Sequence, residues 1–225
     1  MRESVLNHHR SWQEKLAGAL QSHTAALGGY LFDMPLIKKF EQYISLLVKW
    51  NNAFNLTAIR DPDDMVVRHI MDSLVVLPYI KGLRLIDVGT GAGLPGIPLA
   101  LAKPELQVTL LDSNVKKIRF LTQVVGELKL KNLDIIHSRA ESFHPSLRYD
   151  TVISRAYASI PLMVESTQHL CAQSGCILLM KGQYPEDEIK QMDKNHQLLW
   201  VKSLVVPGLD AARHLVAIVK SSEQK

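Results

Sequence analysis

Two cysteines are all that 225 residues carry, which excludes a disulfide framework. Cys171 and Cys176 stand five apart in apolar company, not at zinc-ligand spacing, and read as buried free thiols. The nine histidines form no H-x-x-x-H pair and no Cys/His cluster, so no metal centre is expected. Long apolar runs are missing too: none approaches the ~18–20 residues of a membrane span. The opening Met1-Arg2-Glu3-Ser4 lacks the apolar core of a signal peptide, so a cytoplasmic protein without membrane contact is expected. Internal repeats and low-complexity tracts are absent, and only Ser221-Ser222-Glu223-Gln224-Lys225 looks frayed. What remains, 47% hydrophobic and 21% charged, is an ordinary globular composition. Its length suits one core domain with an appendage, and a monomer is the default.

The net charge of +4 is a weak pointer to a polyanionic partner. Placement sharpens it. Lys116, Lys117 and Arg119 crowd one turn, and Lys129 and Lys131 close the same segment. A phosphate-binding helix face and a merely solvated one both fit this cluster.

The richest stretch is Leu85-Ile86-Asp87-Val88-Gly89-Thr90-Gly91-Ala92-Gly93-Leu94-Pro95-Gly96. An apolar run meets an acid, glycines follow at Gly89, Gly91, Gly93 and Gly96, and a helix-like run, 97–102, comes next. This is a strand–turn–helix junction stripped of side chains, as backbone needs where it adopts positive φ or lies against a ligand. Residues 91–96 also read as G-x-G-x-x-G with Asp112 about 20 residues on, the dinucleotide fingerprint of a NAD(P)-binding enzyme. That match starts late, however, because the turn already opens at Gly89, right behind Asp87. A carboxylate there suits a ligand bearing an ammonium and a sulfonium better than a pyrophosphate. The acidic-V-G-T-G-x-G form resembles motif I of class I S-adenosylmethionine methyltransferases.

The first 80 residues show helical periodicity: Leu36, Phe40, Tyr43, Ile44, Leu47, Val48 and Trp50 recur at three- and four-residue spacing. Asp61-Pro62-Asp63-Asp64 starts a further helix through Val66, Val67, Ile70 and Leu74 towards Pro78. From Arg84 the rhythm alternates, with strands expected at 84–88, 107–111, 133–137, 149–153, 175–181, 198–206 and 213–220. Helices are expected at 95–102, 114–128, 160–171 and 185–193. This pattern implies a mostly parallel α/β sheet of seven strands covered on both faces. Only Pro207-Gly208-Leu209-Asp210 separates the last two strands, which predicts a closing antiparallel hairpin, a feature a dinucleotide Rossmann domain lacks. The division is therefore a helical extension over 1–80 packed on a Rossmann-like core over 81–225.

A ligand on such a sheet lies at the carboxyl ends of the strands. Asp112 there can accept from ribose hydroxyls or cap the next helix. Ala140 and Glu141 can read an adenine edge, and Arg155 can fork onto a ligand carboxylate or pair with Asp87 or Asp150. Arg68-His69 and Asp72-Ser73 put His69 and Asp72 on one helix face, either docking the helix or reaching the site. The turn after the fourth strand is Ser154-Arg155-Ala156-Tyr157, not the Asn/Asp-Pro-Pro-aromatic turn of exocyclic-amine methylation. Cys171 preceding the fifth strand, and Cys176 beginning it, are not placed to attack a pyrimidine. An acceptor with its own lone pair, such as guanine N7, needs neither device. A ribose 2′-hydroxyl would need a base, for which Lys181 at the end of the fifth strand is the candidate.

Taken together, Asn55–Pro62, Arg68–Ser73, Asp87–Pro98, Leu110–Ser113, Ile153–Ala156 and Lys181-Gly182-Gln183 resemble the bacterial small-subunit rRNA methyltransferase G family, glucose-inhibited division protein B. The likeness runs in order from about residue 36 to 220 and is weakest over the first 30 residues. It implies a class I methyltransferase fold, S-adenosyl-L-methionine as cofactor, and methylation of guanine N7 at position 527 of 16S rRNA, in the 530 loop. The partner would be 16S rRNA, the small ribosomal subunit or its assembly intermediate. It also implies cofactor contacts at Gly89, Leu94, Ala140, Glu141 and Arg155, with Asp112 on the ribose; Gly91 and Gly93 complete the expected cradle. His69, Arg155 and Lys181 are then positioning candidates, and Arg68, Lys116, Lys117 and Arg119 are candidates for RNA phosphates.

Overall fold

The computed structural model describes residues 2–155 and 158–221, with side chains from Trp12 onward. Ala156 and Tyr157 of the turn after the fourth strand, and residues 222–225 of the stretch expected to fray, lie outside the described residues.

Helix α1 spans Arg2–Ser22 and α2 spans Met34–Phe54. Asp33 caps α2 by accepting from the Leu36 amide at 2.9 Å, and Asn55 ends it in the left-handed region at φ 51°. The next helix starts as the sequence predicts: Asp61 caps it and Pro62 opens α3 (Pro62–Met65). It then widens into a π-helical turn over Val66–Met71 before tightening again as α4 (Asp72–Leu74). Periodicity predicts a uniform helix here. A π turn, which recurs at functional sites, leaves no mark on apolar spacing.

The core alternates β1 (Arg84–Val88), α5 (Gly96–Ala102), β2 (Gln107–Asp112), α6 (Val115–Leu128), β3 (Leu133–His137) and β4 (Tyr149–Arg155). It continues with α7 (Ile160–Thr167), β5 (Cys171–Lys181), α8 (Glu186–Lys190), β6 (His196–Ser203) and β7 (His214–Lys220). The sheet order is β3-β2-β1-β4-β5-β7-β6, and β7 alone runs against its neighbours. The expected hairpin therefore inserts its second strand between β5 and β6. One boundary shifts materially: β5 opens at Cys171, which pairs with Tyr149, and α7 stops at Thr167. A register irregularity between Tyr149 and Thr151 absorbs the polar Gln173-Ser174, which hides the start of the strand from a reading by hydropathy.

Successive strand residues serve opposite faces. Leu85, Val108, Leu110 and Leu178 join Trp12, Phe40, Ile44 and Leu47 in one core. Ile86, Val88, Val152 and Leu179 join Ile160 and Met163 in the other. The N-terminal helices thus share a core with one face of the sheet. Among the described residues no helix is long and apolar enough to cross a membrane, and no His/Cys/Asp/Glu group could hold a metal ion.

Candidate cofactor and target site

The turn after β1 is held from three directions. Asp87, fully buried, accepts from Thr90 Oγ1 at 2.6 Å and from the Gly96 amide at 2.8 Å, which fixes both ends of the turn. Tyr43 on α2 donates its hydroxyl to the Ala92 carbonyl at 2.7 Å. Asp112, at the end of β2, accepts from the Gly91 amide at 2.9 Å. Gly91 sits at φ +63°, and a Cβ there would clash with nothing, its nearest neighbours being the Gly89 carbonyl and the Lys117 ammonium at 3.9 Å. At Gly93, φ +90°, a Cβ would meet Ile97 Cδ1 at 2.3 Å, so packing as well as backbone conformation calls for glycine there.

Beside the turn lies a cavity of about 350 Å³ walled by Gly89, Asp112, Lys117, Arg139, Ala140 and Glu141. It brings together residues from the ends of β1, β2 and β3. Gly91, Gly93 and the buried Leu94 belong to the same turn but do not line this cavity. The helix cap after Asp112 is Asn114, which accepts from the Lys116 amide; Asp112 itself keeps its carboxylate at the cavity. Lys117 parts company with its neighbours: its ammonium lies 3.4 Å from Asp112 Oδ2, while Lys116 and Arg119 are exposed.

A second cavity, of about 390 Å³, lies at the ends of β4 and β5 and takes in Arg68, His69, Asp72, Arg155, Lys181 and Arg213. Arg155 pairs neither with Asp87 nor with Asp150. Its Nη1 donates to Asp72 Oδ2 at 3.1 Å and to the Arg68 carbonyl at 3.0 Å. Asp150 instead accepts from the Leu83 and Arg84 amides. Arg213 holds the other Asp72 oxygen through Nε at 2.8 Å, so a buried carboxylate aligns two guanidinium groups. His69 is buried, with Nδ1 3.1 Å from the Arg68 carbonyl and Nε2 3.0 Å from Thr57 Oγ1. A carbonyl can only accept, so Nδ1 carries the proton and Nε2 accepts from Thr57. Burial and the charge of Arg155 push the imidazole down to about 4, which keeps it neutral at pH 7. Lys181 donates to the Ala158 carbonyl at 3.0 Å and to Glu188 at 2.7 Å.

The family model for rRNA small subunit methyltransferase G matches residues 36–216. The chain belongs to that family. Ribosomal RNA small subunit methyltransferase G of Escherichia coli O1:K1 / APEC is 53% identical over 176 residues, which are 78% of this chain and 85% of that protein. The protein of that name in Shigella boydii serotype 18 (strain CDC 3083-94 / BS512) matches to the same extent, 53% over 78% and 85%. Among solved structures, the glycopeptide N-methyltransferase MtfA complexed with S-adenosyl-L-methionine superposes with a TM-score of 0.60 at 10% identity, over 68% of this chain and 88% of that one. That likeness shows the fold, the class I methyltransferase sheet with its reversed β7. For a methyltransferase G chain, the dinucleotide reading of residues 91–96 is overturned.

Two members of the site have little signature in the sequence. Arg213 stands in the β6–β7 connection, where a single cation before a strand carries no signal. Asp72 is visible as a neighbour of His69, but its service to two arginines is not.

Proposed function

We infer that this methyltransferase G chain moves the methyl group of S-adenosyl-L-methionine onto N7 of guanine at position 527 of 16S rRNA, in the 530 loop. The cofactor, when bound, supplies an electrophilic methyl on a sulfonium. The residues present suit it: Asp112 offers its carboxylate to ribose hydroxyls, Ala140 and Glu141 flank the far wall, and Asp87 puts a buried carboxylate behind the turn. Among the described residues Asp87 Oδ1 has no hydrogen-bond partner, and burial holds this carboxyl up at about 6.

The observation that carries the choice of target atom is the second cavity, where each candidate base among the described side chains is already engaged, Asp72 by Arg155 and Arg213. His69 has its lone pair engaged by Thr57, and the ammonium of Lys181 is committed to two acceptors. Cys171 is the first residue of β5 and Lys181 the last, so that thiol stands at the opposite end of the sheet. Burial pushes it up to about 11. Guanine N7 requires no deprotonation: its lone pair forms the new bond, sulfur takes the electrons of the old one, and the base becomes cationic. Arg155 and Arg213 can hold O6 or phosphate, so the protein's contribution is positioning and electrostatics. Arg68, Lys116 and Arg119 are exposed cations for the RNA backbone. In this reading residues 1–80 carry Arg68 and His69 to a core formed by 81–225, and the enzyme works as a cytoplasmic monomer on the small subunit or its assembly intermediate.

The test uses 16S rRNA from a strain lacking the enzyme, incubated with protein and S-adenosylmethionine, then treated with borohydride and aniline. N7-methylguanine gives chain cleavage in the 530 loop, absent with Arg155→Ala. Resistance to alkaline hydrolysis in place of that cleavage would mean ribose methylation and would refute the assignment.

A further inference from the structure

Lys117 occupies a place its neighbours do not. Asp112 Oδ1 accepts from the Asn114 amide at 2.9 Å, and Oδ2 takes both the Gly91 amide at 2.9 Å and the Lys117 ammonium at 3.4 Å. The same ammonium would be 3.9 Å from a Cβ on Gly91, so it lies across the turn beside the acceptor that a ribose needs. The lysine side chain is 32% exposed and the aspartate side chain 6% exposed. One partner is thus fixed, and the other is free to swing on a flexible stem. Lys116 and Arg119, on the same helix, already face solvent as cations.

We propose that Lys117 couples cofactor loading to rRNA binding: a ribose taking Asp112 releases the ammonium, which then joins Lys116 and Arg119 on a phosphate. The proposal rests on the reading of Asp112 as the ribose acceptor. Such coupling is reciprocal, so rRNA must tighten the cofactor by the factor with which the cofactor tightens rRNA. It also leaves a mark that a purely structural ion pair would not. Loading adds one phosphate contact, and the salt dependence of rRNA affinity steepens by about 0.7–0.9 in log–log slope.

The experiment measures binding of 16S rRNA at several salt concentrations, with and without saturating S-adenosylhomocysteine, and binding of S-adenosylhomocysteine alone by calorimetry. For the wild-type chain the loaded form should bind rRNA about fivefold tighter, with the steeper slope. Lys117→Gln should bind S-adenosylhomocysteine up to about fivefold tighter, because no ion pair is displaced, and should lose the slope difference. Lys117→Arg should restore it. If wild-type slopes are equal, or if Lys117→Gln binds S-adenosylhomocysteine more weakly, the coupling is refuted, the second result making Lys117 a direct cofactor ligand. Failure of the wild-type chain to bind S-adenosylhomocysteine at all would instead bring down the cofactor reading.

Discussion

Replacing Asp87 by Asn should make the protein more stable and a poorer enzyme. The carboxyl is fully buried, and burial raises it from 3.8 to about 6 despite the hydrogen bonds from Thr90 and Gly96. Holding that group ionised costs the native state about 3 kcal/mol relative to the unfolded chain above pH 6. Asparagine keeps an oxygen for Thr90 and Gly96 and removes the charge. Allowing about 1–2 kcal/mol for amide hydrogens that find no acceptor, a gain of about 1–2 kcal/mol remains. For a chain of this size that is a rise in Tm of about 2–8 °C. The sign follows from the raised value: protonation favours the folded state, so the wild type recovers as pH falls. The advantage of Asp87→Asn should therefore be full above about pH 7, decline as pH falls through about 6, and reverse below 3.8, where only the unmet amide hydrogens remain in the balance. The variant should also lose more affinity for cationic S-adenosylmethionine than for the neutral product S-adenosylhomocysteine. Melting followed from pH 4 to 8, with calorimetry of both ligands, reads all of this. A lower Tm for Asp87→Asn at pH 8, or a difference that ignores pH, would refute the reasoning.

Asp112→Ala removes the ribose acceptor and orphans the Gly91 amide; calorimetry should show S-adenosylmethionine affinity down by at least tenfold, as loss of a hydrogen bond to a charged group costs about 1.5–3 kcal/mol. Gly91→Val should weaken cofactor binding while staying folded, because only the positive φ opposes it. Gly93→Val should depress Tm far more, since Ile97 and Leu121 already fill the space. Tyr43→Phe leaves the buried Ala92 carbonyl without its donor, so urea unfolding should show a loss of about 1–3 kcal/mol, and the slackened turn should bind the cofactor less tightly. An unchanged cofactor affinity in Tyr43→Phe would mean that α2 supports the fold and not the turn.

Much of this molecule is legible in its sequence because short apolar strands and glycine-rich turns are local signals. All seven strands and the closing hairpin follow from alternation and punctuation, and the first cavity follows from reading the strand ends in order. The start of β5 is not legible, since Gln173 and Ser174 interrupt the apolar run where the sheet bulges. Side-chain partners are less legible still. The sequence suggests Asp87 or Asp150 as the carboxylate for Arg155, and only the three-dimensional path of the π turn brings Asp72 to it. Lys116 and Lys117 are adjacent in a basic cluster, yet one faces solvent and the other Asp112, because consecutive helical residues point about 100° apart.

The link between Asp72 and Arg213 spans 141 positions, which fixes when during its synthesis the chain can acquire its second cavity. A nascent chain emerging from its ribosome has β1, the glycine turn and Asp112 early, but Asp72 then faces Arg155 alone. The final guanidinium arrives only with the β6–β7 connection, and β7 must thread between β5 and β6 before that connection is held. The second cavity, unlike the glycine turn, is therefore complete only once the β6–β7 connection has been made and docked.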